Sequence, residues 1–174
     1  MNDTFFAYLQ QLELIAFFSG YPLIYALVVF IAGSNRLKSD FRNRMISFLP
    51  FSYALVGTLF LGLQLSNLYP DYSFENIKLT FKDPYFKIWG MLSLLFWIPL
   101  VSKKPVLSLV HSLFFFFLFA KDLFIHVINE TDQSLFRNEM KIYTDSLLLN
   151  SFCLLLIAFF YLAFKQFRPG SSAD

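Results

Sequence analysis

The sequence predicts an all-α integral membrane protein, a bundle of five transmembrane helices joined by short loops. Of its 174 residues, 57% are apolar, only 15% are charged and 25 are phenylalanine. Soluble domains carry about 25% charged residues, so much of the apolar surface must face something other than water. The apolar residues also collect in runs close to the roughly 20 residues that a membrane-spanning helix needs. We therefore interpret residues 1–174 as one transmembrane domain.

The first predicted span covers residues 12–32 and contains an interruption, Gly20-Tyr21-Pro22, near its middle. Proline lacks a backbone N–H and bends a helix. In a bilayer such a break is tolerated only where neighbouring groups satisfy the freed backbone atoms. The preceding residues carry no Lys or Arg, so we expect a retained helix rather than a cleaved signal peptide.

The second predicted span is long enough to cross a membrane, whereas the third is of marginal length. The second covers residues 46–68 and has Pro50 in its first turns. The third covers residues 85–101, of which only Ile88–Val101 form an uninterrupted apolar run of 14 residues. That length is also typical of a re-entrant or buried segment.

The fourth predicted span, residues 105–128, follows a tight turn with the sequence SKKP. The fifth covers residues 146–164 and ends before a polar tail. Neither of the loops predicted on the outer side is long enough to form a domain of its own.

Charge distribution supports five crossings. If all five segments cross, one side collects eight basic and two acidic residues, and the other collects six basic and ten acidic residues. Cytoplasmic loops concentrate Lys and Arg, which predicts an outer N-terminus and a cytoplasmic C-terminus, in a bacterial inner (plasma) membrane. If the third segment did not cross, Lys103 and Lys104 would join the acidic side and the separation would weaken.

Sequence motifs give no indication of catalysis. The chain has no P-loop, G-x-G-x-x-G, H-E-x-x-H, C-x-x-C or G-x-S-x-G motif. Two histidines and one cysteine lack the spacing of a zinc site, and each of two haems would need a further axial ligand. We therefore predict no metal and no cofactor. A net charge of +2 gives no reason to expect nucleic-acid binding.

One polar stripe on the fourth helix is the strongest candidate for chemistry. At 100° per residue, its four members fall within about 60° of each other. They are Ser108, His111, Asp122 and His126. Titratable groups inside a span often mark proton or ion paths. The alternative interpretation is a hydrogen-bonded histidine together with charges at the outer membrane boundary.

Small residues form a second stripe, on the second helix. Ala54, Thr58, Gly62 and Ser66 recur at intervals of four residues. Small side chains let helices approach closely, so this face either docks a partner subunit or packs within the chain's own bundle. Gln64, Asn67, Asn150 and Ser151 are candidates for interhelical hydrogen bonds or headgroup contacts.

These features favour a non-catalytic membrane protein, an accessory or structural subunit whose partners are membrane lipids and other membrane protein subunits. The alternative is a small oligomeric transporter or channel with its path along the fourth helix. A third hypothesis is a lipid-acting enzyme with an outer cluster of Glu13, Asp122, His126 and Asp145.

Overall fold

The computed structural model describes residues 14–33, 39–70, 72–73, 75, 77, 84–128 and 133–166. Within the last two helices, the side chains of residues 126–128, 133–139 and 165–166 are not described. The start of the first predicted span, the linker 34–38 and the side chain of His126 therefore lie outside the described residues.

The described chain is helical almost throughout, and no strand occurs in it. Residues 14–18 form a helical turn that passes through residues 19–20 into the first full helix. The remaining elements are α1 (Tyr21–Ala32), α2 (Ser39–Leu68), α3 (Pro84–Met91), a 3₁₀ helix (Leu92–Trp97), α4 (Pro99–Ser102), α5 (Pro105–Ile128) and α6 (Gln133–Gln166).

Four stretches are long and apolar enough to cross a membrane. They are Leu14–Ala32, Ser39–Leu68, Pro105–Ile125 and Met140–Phe164. They coincide with the first, second, fourth and fifth predicted spans, although α2 and α6 extend well beyond the predicted boundaries at their N-terminal ends. The helix α2 continues through Pro50, which is buried.

The third predicted span is a discontinuous segment, residues 84–102, in which α3, the 3₁₀ helix and α4 follow each other. These pieces contain eight, six and four residues. Pro99 cannot donate a backbone hydrogen bond, and the preceding Ile98 has extended backbone angles (φ −75°, ψ 124°). A regular helix therefore ends at this point, and no single helix of the segment reaches spanning length.

The first four segments alternate in direction. The ring pairs Phe17–Phe60 and Tyr21–Tyr53 show that the first segment runs antiparallel to α2. The discontinuous segment runs antiparallel to α5, since Phe86 stacks on Phe114 and Trp89 stacks on His111. It also lies along α2.

The centre of the bundle is aromatic. The fully buried Phe18 stacks on Phe115, with ring centroids 4.7 Å apart. It meets Tyr53 and Phe60 edge-on at 5.6 and 5.5 Å. These rings come from the first segment, α2 and α5, so the core lies where these three elements meet.

Candidate functional site

His111 on α5 is bound at both ring nitrogens. Its Nδ1 lies 2.6 Å from the hydroxyl of Tyr53 on α2, and its Nε2 lies 2.9 Å from the backbone oxygen of Trp89 on α3. The indole ring of Trp89 stacks on the imidazole at 4.9 Å with only 6° between the planes. His111 thus joins three elements.

The hydrogen-bond directions follow from the acceptors. A backbone carbonyl can only accept, so Nε2 carries the proton and donates it to Trp89. Nδ1 of that neutral ring is then an acceptor, and the hydroxyl of Tyr53 donates to it. The imidazole uses both nitrogens on these two partners and has no nitrogen left for a third.

A second buried hydroxyl pair lies nearby. Ser108 donates to the backbone oxygen of Pro105 at 2.6 Å, and its oxygen therefore accepts from the hydroxyl of Tyr21 at 2.8 Å. The rings of Tyr21 and Tyr53 lie 4.4 Å apart, so the two hydroxyl pairs are neighbours in the core. Ser108 and His111 of the predicted stripe therefore both tie α5 to other helices.

The break in the first segment is held by α6. At the break, the backbone N–H of Gly20 donates to Oγ of Ser146 at 2.9 Å. One turn earlier, the oxygen of Phe17 accepts from Nδ2 of Asn150 at 2.9 Å. A neighbouring helix thus supplies the polar groups that the Gly20-Tyr21-Pro22 interruption requires, as predicted.

Gly20 also allows α6 to approach. A Cβ at this position would lie 2.8 Å from the backbone of Ser146 and Leu147, closer than real Cβ contacts. Oγ of Ser19 and Oδ1 of Asn150 are buried at this contact and have no hydrogen-bond partner among the described residues. The backbones of Gly20 and α6 are therefore in close contact, but not every polar atom beside them has a hydrogen-bond partner among the described residues.

The predicted polar stripe is not continuous. Apolar residues separate its first two members, Ser108 and His111, from Asp122 and His126. Between His111 and Asp122, eleven residues and about 16 Å along the helix, the same face carries Phe115, Leu118 and Phe119. Asp122 is half-buried and has a contact of its own. The side chain of His126 lies outside the described residues, so its pairing with Asp122 stays a prediction.

The small-residue stripe on α2 divides into two parts. Ala54 is buried, and the exposed Thr58 accepts a hydrogen bond from Nε1 of Trp97 at 3.0 Å, so this half contacts other elements of the chain. Gly62 and Ser66 are exposed, and a Cβ at Gly62 would meet nothing within 4 Å. The stripe contributes to internal packing at one end and leaves the other end open.

Across the described ranges, no group of three or more His, Cys, Asp or Glu side chains is placed to hold a metal ion. The sole cysteine, Cys153, is buried. Glu13 and the side chain of His126 lie outside the described residues, so the outer carboxylate–histidine cluster stays a prediction.

Several residues of these contacts escaped sequence reasoning. Ser146 is the first residue of the fifth predicted span, next to polar loop residues, and Trp89 resembles an aromatic residue at the membrane boundary. Tyr21 and Tyr53 carry no signal beyond their type. Asn150 did carry one, since an amide inside an apolar run predicts an interhelical hydrogen bond.

Comparison of the chain with protein-family models, curated proteins and solved structures finds no match.

Proposed function

We propose that the chain crosses the membrane five times, with its N-terminus outside and its C-terminus in the cytoplasm of a bacterial cell. The alternating directions of its segments support this topology. The rises of α and 3₁₀ helices add to about 30 Å over residues 84–102, comparable to the hydrocarbon thickness. A discontinuous segment is tolerated at membrane depth when it is enclosed by protein, and here it packs against α2 and α5.

We further propose that the protein is a non-catalytic subunit that packs against a transmembrane helix of another membrane protein. The observation that carries this proposal is an apolar seam on α6, formed by Leu148, Phe152, Leu155, Phe159 and Leu162. These five side chains are between 58% and 67% exposed. Only 11% of the most apolar stretch of α6 is buried within the chain, against 56% for Leu14–Ala32.

The spacing of the seam supports a helical partner rather than lipid alone. Its members follow each other at intervals of four, three, four and three residues, the heptad repeat of packed helices. At 100° per residue, the seam lies opposite the face of α6 that holds Ser146, Asn150 and Cys153. One side of α6 is thus used inside the chain, and the other is available to a partner.

Site-specific photocrosslinking in the native membrane tests this proposal. A photoreactive amino acid replaces Phe152 or Phe159 on the seam, and Val110, an exposed residue of α5, serves as the matched control. We expect both seam positions to crosslink to the same membrane protein and Val110 to give no such product. Crosslinks to lipid alone, a product of two copies of this chain, or the same product from all three positions would contradict the proposal.

The alternative function is a small oligomeric transporter or channel, and one observation favours it. The two discontinuous segments meet in the core, where a Cβ at Gly90 would lie 3.2 Å from Phe18 and 3.5 Å from Leu14. Many transporters form their binding sites at such discontinuous helices.

Measurement of proton or ion flux into proteoliposomes distinguishes a non-catalytic subunit from a transporter or channel. A path along α5 predicts that His111→Ala and Asp122→Asn each reduce flux at least severalfold. The subunit proposal predicts flux no greater than that of protein-free liposomes. If neither substitution alters the flux, the transported species does not pass along α5.

A further inference from the structure

A groove opens between three helices at one end of the bundle. Its volume is about 310 Å³, at the lower end of the range for small-molecule sites. Val28 of α1 lies on one side and Phe48 of α2 on another. The third side is α6, with Leu154, Leu155 and Ala158. The ring of Tyr161 packs against Phe48 at 5.1 Å and joins α6 to α2 within the groove.

One cation stands at the groove. Among the described residues that line it, Arg44 is the only one that carries a charge. Arg44 lies in the second turn of α2, directly before the apolar run that begins at Ile46. Its side chain is exposed, and its guanidinium has no hydrogen-bond or ion-pair partner among the described residues.

The groove thus has a cation at one end and apolar walls beyond it. A phospholipid has its phosphate and its acyl chains in the same order. In the five-pass topology, Arg44 lies at the depth of the headgroups on the cytoplasmic side. The apolar walls lie at the depth of the acyl chains. A guanidinium binds a phosphate through two parallel hydrogen bonds, and basic sites between helices on this side of a membrane hold anionic headgroups.

We propose that this groove binds one anionic phospholipid of the cytoplasmic leaflet, with an acyl chain between α2 and α6 and the phosphate on Arg44. The site belongs to the isolated chain and does not depend on a partner subunit. Leu155 and Leu162 border both the groove and the apolar seam of α6, so a bound lipid would lie beside that seam.

Native mass spectrometry of the purified full-length chain tests the headgroup contact. The probe is 1-palmitoyl-2-oleoyl phosphatidylglycerol, and the readout is the apparent Kd of the first bound lipid. We expect Arg44→Gln to weaken binding about tenfold, the size of one lost charge-assisted contact. Arg42→Gln is the matched control, since Arg42 has the same charge on the same helix but does not line the groove. We expect that control to change the Kd less than twofold.

A second pair of variants tests the acyl contact. Ala158→Trp fills the groove, whereas Phe160→Trp places the same side chain on an exposed part of α6 outside both the groove and the seam. We expect the first substitution to abolish the tight lipid and the second to preserve it. Because Arg44 is exposed, its substitution tests the site even if Ala158→Trp prevents folding.

Three results would overturn the lipid site. Equal losses in Arg44→Gln and Arg42→Gln would indicate diffuse attraction of anionic lipid to the basic end of the bundle. Competition by inorganic phosphate at matched concentration would indicate an anion site without an acyl chain. A dimer of the chain that disappears in a folded Ala158→Trp variant, with no change in lipid binding, would show a second copy in the groove.

Discussion

At the scale of single residues, the bundle depends on hydrogen bonds between backbone groups of one helix and side chains of another helix. The N–H of Gly20 and the oxygen of Phe17 find partners on α6, and the oxygen of Trp89 finds His111. In lipid, water cannot replace such partners, so each of these contacts stabilises the fold. Interhelical hydrogen bonds in membranes are worth about 0.6–2 kcal/mol each.

We predict that Gly20→Ala destabilises the protein by about 1–3 kcal/mol, because the added Cβ would overlap the backbone of Ser146 and Leu147. Gly62→Ala is the control, since a Cβ there meets nothing within 4 Å. Alanine favours a helix over glycine by about 1 kcal/mol, so this control should be neutral or stabilising. Reversible unfolding in mixed micelles measures both variants. The packing account fails if the two substitutions have equal effects.

A second residue-scale prediction concerns Tyr53→Phe, which removes the hydroxyl that donates to Nδ1 of His111. The buried acceptor is then unsatisfied, and we expect a loss of about 1–3 kcal/mol in the free energy of unfolding. Tyr85→Phe is the matched control, because Tyr85 is 85% exposed. Nitrogen chemical shifts of His111 provide an independent measurement. They should indicate a neutral ring protonated at Nε2 in the unsubstituted chain, and protonation at Nδ1 would contradict the assigned directions.

The sequence alone identified one polar residue in several of these contacts but not the group to which that residue hydrogen-bonds. Ser108 and His111 stood out because polar residues are costly within an apolar run. Nothing in the sequence pairs His111 with Tyr53, which is 58 residues earlier, or with a backbone oxygen. Such pairings depend on how the helices rotate and slide against each other, which periodicity does not specify.

At the scale of elements, the discontinuous segment 84–102 fits against α2 through small residues. Gly57 faces Ser93, and Trp97 donates a hydrogen bond to Thr58. The hydroxyl of Ser93 turns back to the oxygen of Gly90 within the segment. The close approach at Gly57 lets one face of the 3₁₀ helix lie against α2, with Ser93 and Phe96 buried.

This fit predicts a coupled pair of substitutions. Gly57→Ala should destabilise the protein by about 1–3 kcal/mol, because the new Cβ would overlap the side chain of Ser93. Ser93→Gly removes both overlapping atoms, so the double variant should lose less stability than the sum of the single variants. A double-mutant cycle in mixed micelles measures that coupling. Additive effects would mean that the two residues do not meet.

The long apolar elements were predictable, and the irregular one was only partly so. The second, fourth and fifth predicted spans are predominantly apolar over the length that a membrane-spanning helix needs, and helices occur at these positions. Pro22 and Pro99 mark chain breaks in the sequence, but the change from α to 3₁₀ helix at Leu92 has no comparable signal. The 3₁₀ helix contacts α2 and α5, and its own sequence does not specify these contacts.

At the scale of the whole molecule, the charge distribution and the packing directions of the segments both support the proposed five-pass topology. The sequence assigns Lys103 and Lys104 to the basic side only if the segment before them crosses. In the structure this segment runs antiparallel to both α2 and α5. The chain therefore enters α5 from the end of the bundle where α2 begins. The outward face of α6 could not be assigned from the sequence, because its apolar residues resemble those of any buried helix.

Cysteine labelling tests the five-pass topology most directly. In a Cys153→Ala background, single cysteines replace Tyr72 in the loop after α2 and Lys103 in the turn before α5, both exposed. A membrane-impermeant maleimide is added to cells before and after permeabilisation. We predict that the cysteine at 72 reacts in intact cells and that the cysteine at 103 reacts only after permeabilisation. Reaction of both in intact cells would place them on the same side, and the discontinuous segment would then not cross the membrane.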